Sequence, residues 1–379
     1  FWPHVLDKNK FDPVDDQLAA RMHKAIAIMQ FKLEGQLIKE HPEFDLDKRL
    51  LLDKIDFENG TVNVEGTVYP LNDTFFPTID PNNPYELTED ERAVMNSLSA
   101  SIINSERLQT HIRYMFSHGA LYKRINGNLL FHGCIPMDEN GDFLPVDIYG
   151  AKCAGRALMD HLDKQIRASY FSPEKIKKYG KPGDLMWYLW LAKDSPLFGK
   201  EKMTTFERLF IDDKASHKEH VRPYYKLINS KEPCEKILRE FGLDPSHSKI
   251  LNGHVPVKIK NGESPIKGGG LLYVIDGGIS KAYQKQTGIA GYTFIFNSRF
   301  MALAEHKPYE PLREDGTQKF FSPSMKTVDT LKTRMLVIDT DEGAELLRQA
   351  EAVKRLVEAY KTGEIKERPE GKYSAYKGK

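Results

Sequence analysis

The chain has 379 residues, with 55 Lys and Arg against 54 Asp and Glu, and 40% of its residues are hydrophobic. This length allows two or three domains of ~100–200 residues, and such a chain buries most of its apolar surface without disulfides or metal staples. The net charge of +1 gives no electrostatic footprint for nucleic acid or an anionic membrane. No run of ~20 apolar residues occurs. We therefore expect a cytoplasmic protein with neither a nucleic-acid nor a membrane partner. Assembly into a homo-oligomer is compatible with this composition.

The three cysteines, Cys134, Cys153 and Cys234, form no CxxC pair, so the sequence indicates neither a disulfide framework nor a thiolate zinc site. We expect them to act as buried small hydrophobic residues. The chain begins with Phe1 rather than Met, and we take this as a sign that it is part of a longer translated sequence.

The first 118 residues predict a mostly helical segment. Apolar residues recur at three- and four-residue steps over residues 18–37, which predicts an amphipathic helix. Residues 61–69 alternate as a short hairpin. Residues 88–117 begin with the spacing of a capping box and predict one further helix. Because no chemical motif falls in residues 1–118, we interpret them as a helical insertion or cap.

Short apolar runs bounded by turn residues follow Gly119 and predict buried strands. The strands are expected at residues 128–131, 250–251, 271–275, 292–296 and 301–305. Helices are expected at residues 155–169, 185–191 and 234–241. A polar loop, a strand at residues 334–338, a helix at residues 342–360 and a frayed tail follow. These patterns predict an α/β chain divided into residues 1–118, 119–310 and 311–379.

Two histidines lie directly after predicted strands, each beside a glycine. His132 stands in the run Leu130 to Pro136, and His254 in the run Leu251 to Pro256. A strand end fixes the direction of an imidazole, and the neighbouring glycine lets backbone, substrate or metal approach closely. Either histidine alone would more often be structural, and two histidines do not complete a metal site. The sequence therefore predicts part of a metal site.

The segments around both histidines resemble the His-Gly and Gly-His loops of the calcineurin-like metallophosphoesterases. Residues 187–190 and 195–200 fall where that superfamily has its Trp-containing segment. Four further segments resemble the class III fructose-1,6-bisphosphatases of bacteria: residues 203–208, 274–278, 280–284 and 287–293. The resemblance extends from the first predicted helix to about His306.

The resemblance implies a calcineurin-like β-sandwich flanked by helices, an α+β variety of the α/β class, with metal ligands on loops at strand ends. It implies a pair of divalent ions, most often Mn²⁺, with His132 and His254 bound to the same, second ion. Such ions lower the pKa of water and neutralise charge on the phosphoryl oxygens. The implied reaction is hydrolysis of fructose 1,6-bisphosphate to fructose 6-phosphate and phosphate in gluconeogenesis.

The sequence departs from the family pattern at its beginning. The Asp-x-His, Gly-Asp-x-x-Asp-Arg-Gly and Gly-Asn-His-Asp motifs, which supply the other metal ligands and the acid for the leaving alkoxide, are absent from it. We therefore expect the carboxy-terminal part of the enzyme, with the amino-terminal part of the fold missing. The main catalytic acid and the bridging ligand are expected in that missing segment, which becomes a predicted partner. The chain alone should be inactive.

Candidate substrate residues are cations, because fructose 1,6-bisphosphate carries two phosphates. Lys281 and Tyr283 are the first candidates, and Lys200 and Arg208 come next. For each of them a solvated surface cation or a core tyrosine is an equal alternative. Asp276, at the end of its strand, would either accept a hydrogen bond from a ligating histidine or cap a turn.

Two other interpretations stay open at this point. The chain could belong to a calcineurin-like phosphatase that acts on proteins or on other phosphomonoesters. It could also act only as a non-catalytic scaffold or regulatory piece, since the early loops are missing.

Overall fold

The computed structural model describes residues 15–171, 181–278, 287, 291–306 and 324–366. Its helices are α1 (Asp16–Glu40), α2 (Glu89–Ile103), α3 (Glu106–His118), α4 (Gly155–Phe171), α5 (Lys181–Leu191), α6 (Thr205–Phe210), α7 (Tyr224–Leu227), α8 (Lys231–Glu240) and α9 (Asp341–Lys361). Its strands are β1 (Ile55–Asp56), β2 (Thr61–Val64), β3 (Thr67–Pro70), β4 (Tyr122–Ile125), β5 (Asn128–Phe131), β6 (Val146–Ile148), β7 (Ala151–Cys153), β8 (Ile250–Asn252), β9 (Ile266–Lys267), β10 (Leu272–Val274), β11 (Gly291–Phe296), β12 (Phe300–His306) and β13 (Ser324–Thr330). The mixed α/β class is confirmed. No helix in these described ranges has the length and apolar character needed to cross a membrane.

The chain divides into two compact units. The first comprises Phe1–Lys123, Leu129–Pro256 and Ser264–Val274, and the second comprises Arg124–Asn128, Val257–Glu263 and Ile275–Lys379, as far as these ranges are described. Both predicted metal histidines belong to the first unit. The predicted division at residues 118 and 310 refers to segments of a longer fold and stays a prediction.

A five-stranded sheet of order β4-β5-β8-β10-β9 carries both histidine loops at its strand ends. Strands β5 and β10 each pair with β8 in parallel, so that Leu129 and Leu272 both lie opposite Ile250. All three of these side chains are buried. A parallel strand covered on both faces is apolar along its whole length. Continuous apolar runs therefore predicted these strands correctly.

Helix α1 packs over the β2–β3 hairpin. Its first turn is capped by the carboxylate of Asp15, which accepts the N–H groups of Gln17 and Leu18 at 2.9 and 3.2 Å. The buried cluster beneath α1 joins Phe31 to Val62 of the hairpin and to aromatic side chains of α6. The predicted first helix and hairpin are confirmed, and α6 completes their core from a distant part of the sequence.

The helix predicted over residues 88–117 is in fact two helices, α2 and α3. Its capping box is confirmed, since Thr88 Oγ1 accepts the N–H of Glu91 at 3.2 Å and the Glu91 carboxylate accepts the N–H of Thr88 at 2.9 Å. The break falls at Asn104 and Ser105, where the Ser105 hydroxyl accepts the N–H of Leu108 at 3.4 Å and caps α3. Short polar side chains compete with helical bonds in this way, and apolar periodicity does not detect it.

The prediction of a strand at residues 334–338 is wrong. The strand lies earlier, at β13, which pairs antiparallel with β12, and residues 337–339 form a 3-10 turn. Strand β13 is largely exposed at the edge of the sheet β11-β12-β13. It lacks the apolar run that identifies a buried strand, so the search by hydrophobic pattern passed over it. The other predicted helices and strands are confirmed, with small shifts of their ends.

Candidate functional site

The imidazoles of His132 and His254 lie side by side beyond the ends of β5 and β8. Nε2 of His132 and Nδ1 of His254 are 3.3 Å apart, and the two ring planes are inclined by 74°. Two nitrogens bound at ~2.1 Å to one divalent ion stand about 3.0–3.4 Å apart, for angles between octahedral and tetrahedral. The observed separation therefore fits two ligands of a single cation.

The backbone carbonyl of Phe198 sets the tautomer of His254. Its oxygen is 2.9 Å from Nε2 of His254, so the neutral ring donates its proton there and presents the lone pair of Nδ1 towards His132. Metal-ligating histidines in general hold their second ring nitrogen in this way, by a carbonyl or a carboxylate. The ring of His254 is thus oriented from the side opposite to His132.

The register of β5 and β8 explains how the two rings meet. Leu130 lies opposite Leu251, and the N–H of Gly253 donates to the oxygen of His132 at 2.8 Å. In this register Gly253 is the residue opposite His132, and His254 lies one residue beyond that position. His254 has a φ of 68°, a left-handed conformation that costs a residue with a Cβ roughly 1–2 kcal/mol. Strain of this kind collects at functional sites.

Gly133 allows a third segment to approach the two histidines. A Cβ at Gly133 would lie 2.3 Å from the oxygen of Pro196. That same oxygen accepts the N–H of Cys134 at 2.8 Å. Phe198, two residues later, supplies the carbonyl that orients His254. The close backbone approach expected from the glycine beside His132 is therefore found, and its partner is this segment.

Asn252 and Tyr224 hold the loops together, and sequence reasoning missed both. Nδ2 of Asn252 donates to the Tyr224 hydroxyl at 2.8 Å and, at 3.4 Å, to the oxygen of Gly133. Asn252 is 2% exposed, and its Oδ1 has no hydrogen-bond partner among the described residues. The available signal was Asn252 itself, a polar residue at the end of a buried strand. Such a residue needs hydrogen-bond partners, so it indicates that neighbouring polar groups lie close to it.

Lys200 and Arg208 meet at one carboxylate, that of Glu219. Nζ of Lys200 is 2.8 Å from Oε2, and Nε of Arg208 is 3.6 Å from Oε1. Burial raises the pKa of Glu219, but hydrogen bonds from Lys200 and Thr204 and the charge of Lys200 outweigh it and lower the pKa. Lys200 follows two residues after Phe198, on the segment that contacts both histidine loops. Glu219 was missed, since a single Glu in a polar stretch has no pattern.

The remaining predicted residues contribute less to the described site. Oδ1 of Asp276 accepts the N–H of Gly278 at 2.8 Å, which is the turn-capping alternative of its two predicted roles. Lys281 and Tyr283 lie outside the described residues. Burial raises the pKa of the Cys134 thiol to about 12, so this cysteine beside His132 is no thiolate nucleophile at neutral pH.

A further histidine, His41, lies among carboxylates. Within the part of the chain that the structure describes, Glu40, His41 and Asp184 form the one group of three such residues close enough to share a cation. The two ring nitrogens of His41 already contact Glu43 at 2.9 Å and Asp184 at 2.8 Å. Burial lowers the pKa of His41, but hydrogen bonds and charge from these carboxylates outweigh it and raise the pKa. We interpret His41 as an ion-paired histidine.

The chain is similar to known fructose-1,6-bisphosphatases over almost all of its length. The class 3 fructose-1,6-bisphosphatase of Clostridium tetani is 51% identical over 371 residues, which are 97% of this chain and 55% of that protein. The class 3 enzyme of Clostridium botulinum strain Okra is 49% identical over 98% of this chain and 55% of its own length. That of Clostridium novyi is 49% identical over 92% and 53%. No solved structure matches the chain.

The chain thus spans about half the length of the curated relatives it matches. The family model for the Firmicute fructose-1,6-bisphosphatase matches residues 1–362. This match and the identity of about one half to several members show that the chain belongs to the Firmicute fructose-1,6-bisphosphatase family.

Proposed function

We propose that the chain is part of a phosphoric monoester hydrolase that converts fructose 1,6-bisphosphate and water to fructose 6-phosphate and phosphate, a step of gluconeogenesis. Family membership supports the reaction. The observation that carries the proposal is the 3.3 Å approach of two histidine nitrogens, of which Nδ1 of His254 turns its lone pair towards Nε2 of His132. The cytoplasmic location expected from the sequence stays a prediction.

In this proposal Nε2 of His132 and Nδ1 of His254 hold one divalent ion of a pair. The fold is the calcineurin-like sandwich, and the bridging carboxylate and catalytic acid belong to a part of the longer relatives that this chain does not span. We propose Mn²⁺, on the family resemblance, although imidazole ligands also suit Zn²⁺ and Fe²⁺. Bound divalent ions would supply an acidified water and neutralise charge on the phosphoryl group.

The chain's own residues would position these groups. The Phe198 carbonyl keeps Nδ1 of His254 unprotonated. Lys200, on the same segment, is the cation that we propose binds a phosphate of the substrate, and Glu219 holds its ammonium group in the absence of that phosphate. Charge-assisted hydrogen bonds to phosphate are strong enough to compete with such an ion pair. Lys281 and Tyr283 remain predicted substrate residues.

One observation favours a second function for the isolated chain. Among the described residues, no carboxylate joins His132 and His254 in a group of three that could share a cation. Two neutral imidazoles bind a divalent ion weakly and supply no bridging ligand. By itself the chain would then act as a non-catalytic piece that folds and awaits its complement.

Metal binding tests the site without requiring activity. The chain should take up one Mn²⁺ or Zn²⁺ in calorimetric titration, and His132→Ala and His254→Ala should each lower the affinity at least ~10-fold. His220→Ala is the control, because His220 is an exposed loop histidine like His132 and is not part of the histidine pair. Equal affinity in the parent and both site variants would contradict the ligand assignment.

Substrate turnover tests the reaction. The chain alone and the chain joined to the additional segment of its relatives would be assayed for phosphate release from fructose 1,6-bisphosphate with Mn²⁺. Release only by the joined protein is the expected result. Release from a phosphopeptide but not from fructose 1,6-bisphosphate would reject the sugar bisphosphate and favour another calcineurin-like phosphatase. Release by the chain alone would refute the need for ligands from elsewhere.

A further inference from the structure

Ser195 lies where the end of α5, the loop of His132 and the segment of Phe198 meet. The residue is 0% exposed. Its hydroxyl donates to the carbonyl oxygen of Leu189, near the end of α5, at 2.6 Å. Its carbonyl oxygen accepts the thiol of Cys134, in the loop of His132, at 3.6 Å. A buried hydroxyl needs a partner, and the partner that this one has ties the segment of Phe198 to α5.

Residues 195–199 form a tight turn that begins at Ser195. The carbonyl oxygen of Ser195 accepts the N–H groups of Phe198 and Gly199, both at 3.3 Å. Its hydroxyl oxygen accepts the N–H of Leu197 at 3.1 Å. Serine at the first position of a turn and proline at the second, as here, are favoured by turn geometry. The side chain and the backbone of one residue thus hold the same turn.

The turn decides which way the carbonyl of Phe198 points. In a planar trans peptide unit the C=O and N–H bonds point in opposite directions. The N–H of Gly199 is directed at Ser195, so the carbonyl of the same unit, that of Phe198, is directed away from Ser195. There its oxygen lies 2.9 Å from Nε2 of His254. The peptide unit between Phe198 and Gly199 is therefore held at both of its ends.

Gly199 makes this orientation easy to lose. Its φ is 63°, and glycine adopts negative φ values as readily as positive ones. Inversion of the peptide unit would point the N–H of Gly199, in place of the carbonyl, at Nε2 of His254. The ring proton would then move to Nδ1, and the lone pair that faces His132 would be lost. Inversion also breaks the hydrogen bond from Gly199 to Ser195, so this bond opposes it.

We propose that Ser195 is a positioning residue for the histidine site. By anchoring the turn to the end of α5, its hydroxyl keeps the carbonyl of Phe198 directed at His254 and so keeps the ring proton of His254 on Nε2. The use of this tautomer in binding a cation rests on the proposed function, whereas the tautomer itself does not.

Nitrogen NMR of the histidine side chains measures the tautomer directly. The metal-free chain would be labelled with ¹⁵N-histidine and studied at a pH where the imidazoles are neutral. The signals that disappear in His254→Asn identify this ring among the 12 histidines. In the parent chain His254 should carry its proton on Nε2. In Ser195→Ala, which loses two hydrogen bonds, the ratio of the Nε2-protonated to the Nδ1-protonated form should fall at least ~10-fold.

Two further variants show whether the hydroxyl is responsible. Ser195→Thr keeps a hydroxyl and should keep the parent tautomer. Ser216→Ala is the matched control, because Ser216 is also a buried serine whose hydroxyl donates to a backbone carbonyl, that of Asp213, at 2.8 Å. It should lose stability in urea unfolding without a change at His254. An unchanged tautomer in Ser195→Ala, or the same change in Ser195→Thr as in Ser195→Ala, would overturn the proposal.

Metal titration of the same variants separates this proposal from the proposed function. Ser195→Ala should bind Zn²⁺ at least ~10-fold more weakly than the parent, and Ser216→Ala should bind it equally well. A parent chain that binds no Zn²⁺ would contradict the proposed metal site, while the tautomer of His254 would still decide the role of Ser195. A changed tautomer with unchanged affinity would count against His254 as a ligand and would leave Ser195 as the residue that sets its tautomer.

Discussion

The replacement Gly133→Ala gives the sharpest test of how the histidine site is held together. The added Cβ would lie 2.3 Å from the carbonyl oxygen of Pro196 and 3.3 Å from Cα of Leu197. Both neighbours are backbone atoms, so no side-chain rotation relieves the contact. The oxygen of Pro196 also accepts the N–H of Cys134, and moving it away lengthens that bond.

The size of the effect follows from these distances. A carbon and an oxygen need roughly 3.2–3.4 Å, so the two segments must separate by about 1 Å at a point where they are now in contact. Overpacking of this kind typically costs ~1–3 kcal/mol, and loss of the hydrogen bond to Cys134 adds ~1 kcal/mol. We expect a loss of about 2–4 kcal/mol in the free energy of unfolding. Phe198, whose carbonyl orients His254, follows two residues after Pro196. Moving Pro196 should therefore loosen the orientation of His254 and lower the metal affinity.

Urea unfolding and metal titration of Gly133→Ala measure these two effects. Gly183→Ala is the matched control, because the nearest atom to a Cβ at Gly183 is 4.0 Å away and the residue lies in α5. That control should be neutral or up to ~1 kcal/mol more stable. If the free energy of unfolding of Gly133→Ala is within ~0.5 kcal/mol of the parent value and its metal affinity equals that of the parent, the close packing of the three segments does not hold the site.

Two further predictions concern charged groups outside the histidine pair. Lys200→Met in the joined, active protein should raise KM for fructose 1,6-bisphosphate at least ~10-fold, while Arg208→Met should change it much less; equal effects in steady-state kinetics would reject Lys200 as the phosphate cation. The pKa of His41 is raised above 6.5 by Glu43 and Asp184, so its stabilisation is complete below pH 6.5 and is lost as the pH rises through the folded-state pKa. The free energy of unfolding measured with urea should therefore fall with rising pH from 6.5 upward, by about 1.4 kcal/mol for each unit by which the pKa is raised, and His41→Gln should remove that fall.

The meeting of the two histidines could be predicted because both are side chains at strand ends. Strands β5 and β8 are continuous apolar runs, and His132 and His254 follow them beside glycines. What pattern cannot supply is the third segment. The group that orients His254 is the carbonyl of Phe198, and a backbone carbonyl leaves no mark on residue identity. Glu219 could not be predicted for a related reason, because the two cations that it contacts, Lys200 and Arg208, are distant from it in sequence.

The errors in the fold have physical causes that differ from one another. Strand β13 at the edge of its sheet is largely exposed and mostly polar, so hydrophobic alternation is weak there. The break between α2 and α3 depends on the hydroxyl of Ser105, a local hydrogen bond that competes with the helix and does not change the apolar period. Helix α9 was found correctly, yet its exposure could not be foreseen, because an amphipathic pattern normally predicts a buried face.

The histidine site is fixed by two restraints that act on the same ring from different directions. The left-handed backbone of His254 sets the position of its Cα, and the Phe198 carbonyl sets the rotation of its imidazole. With Nδ1 thus committed as an acceptor, Nε2 of His132 at 3.3 Å either donates a proton to it or shares a cation with it. Only the cation uses both rings as acceptors, and it is the alternative that gives the strain at His254 a function. In the proposed function the chain itself prearranges this pair of histidines, so that ligands from elsewhere would meet two rings already in place.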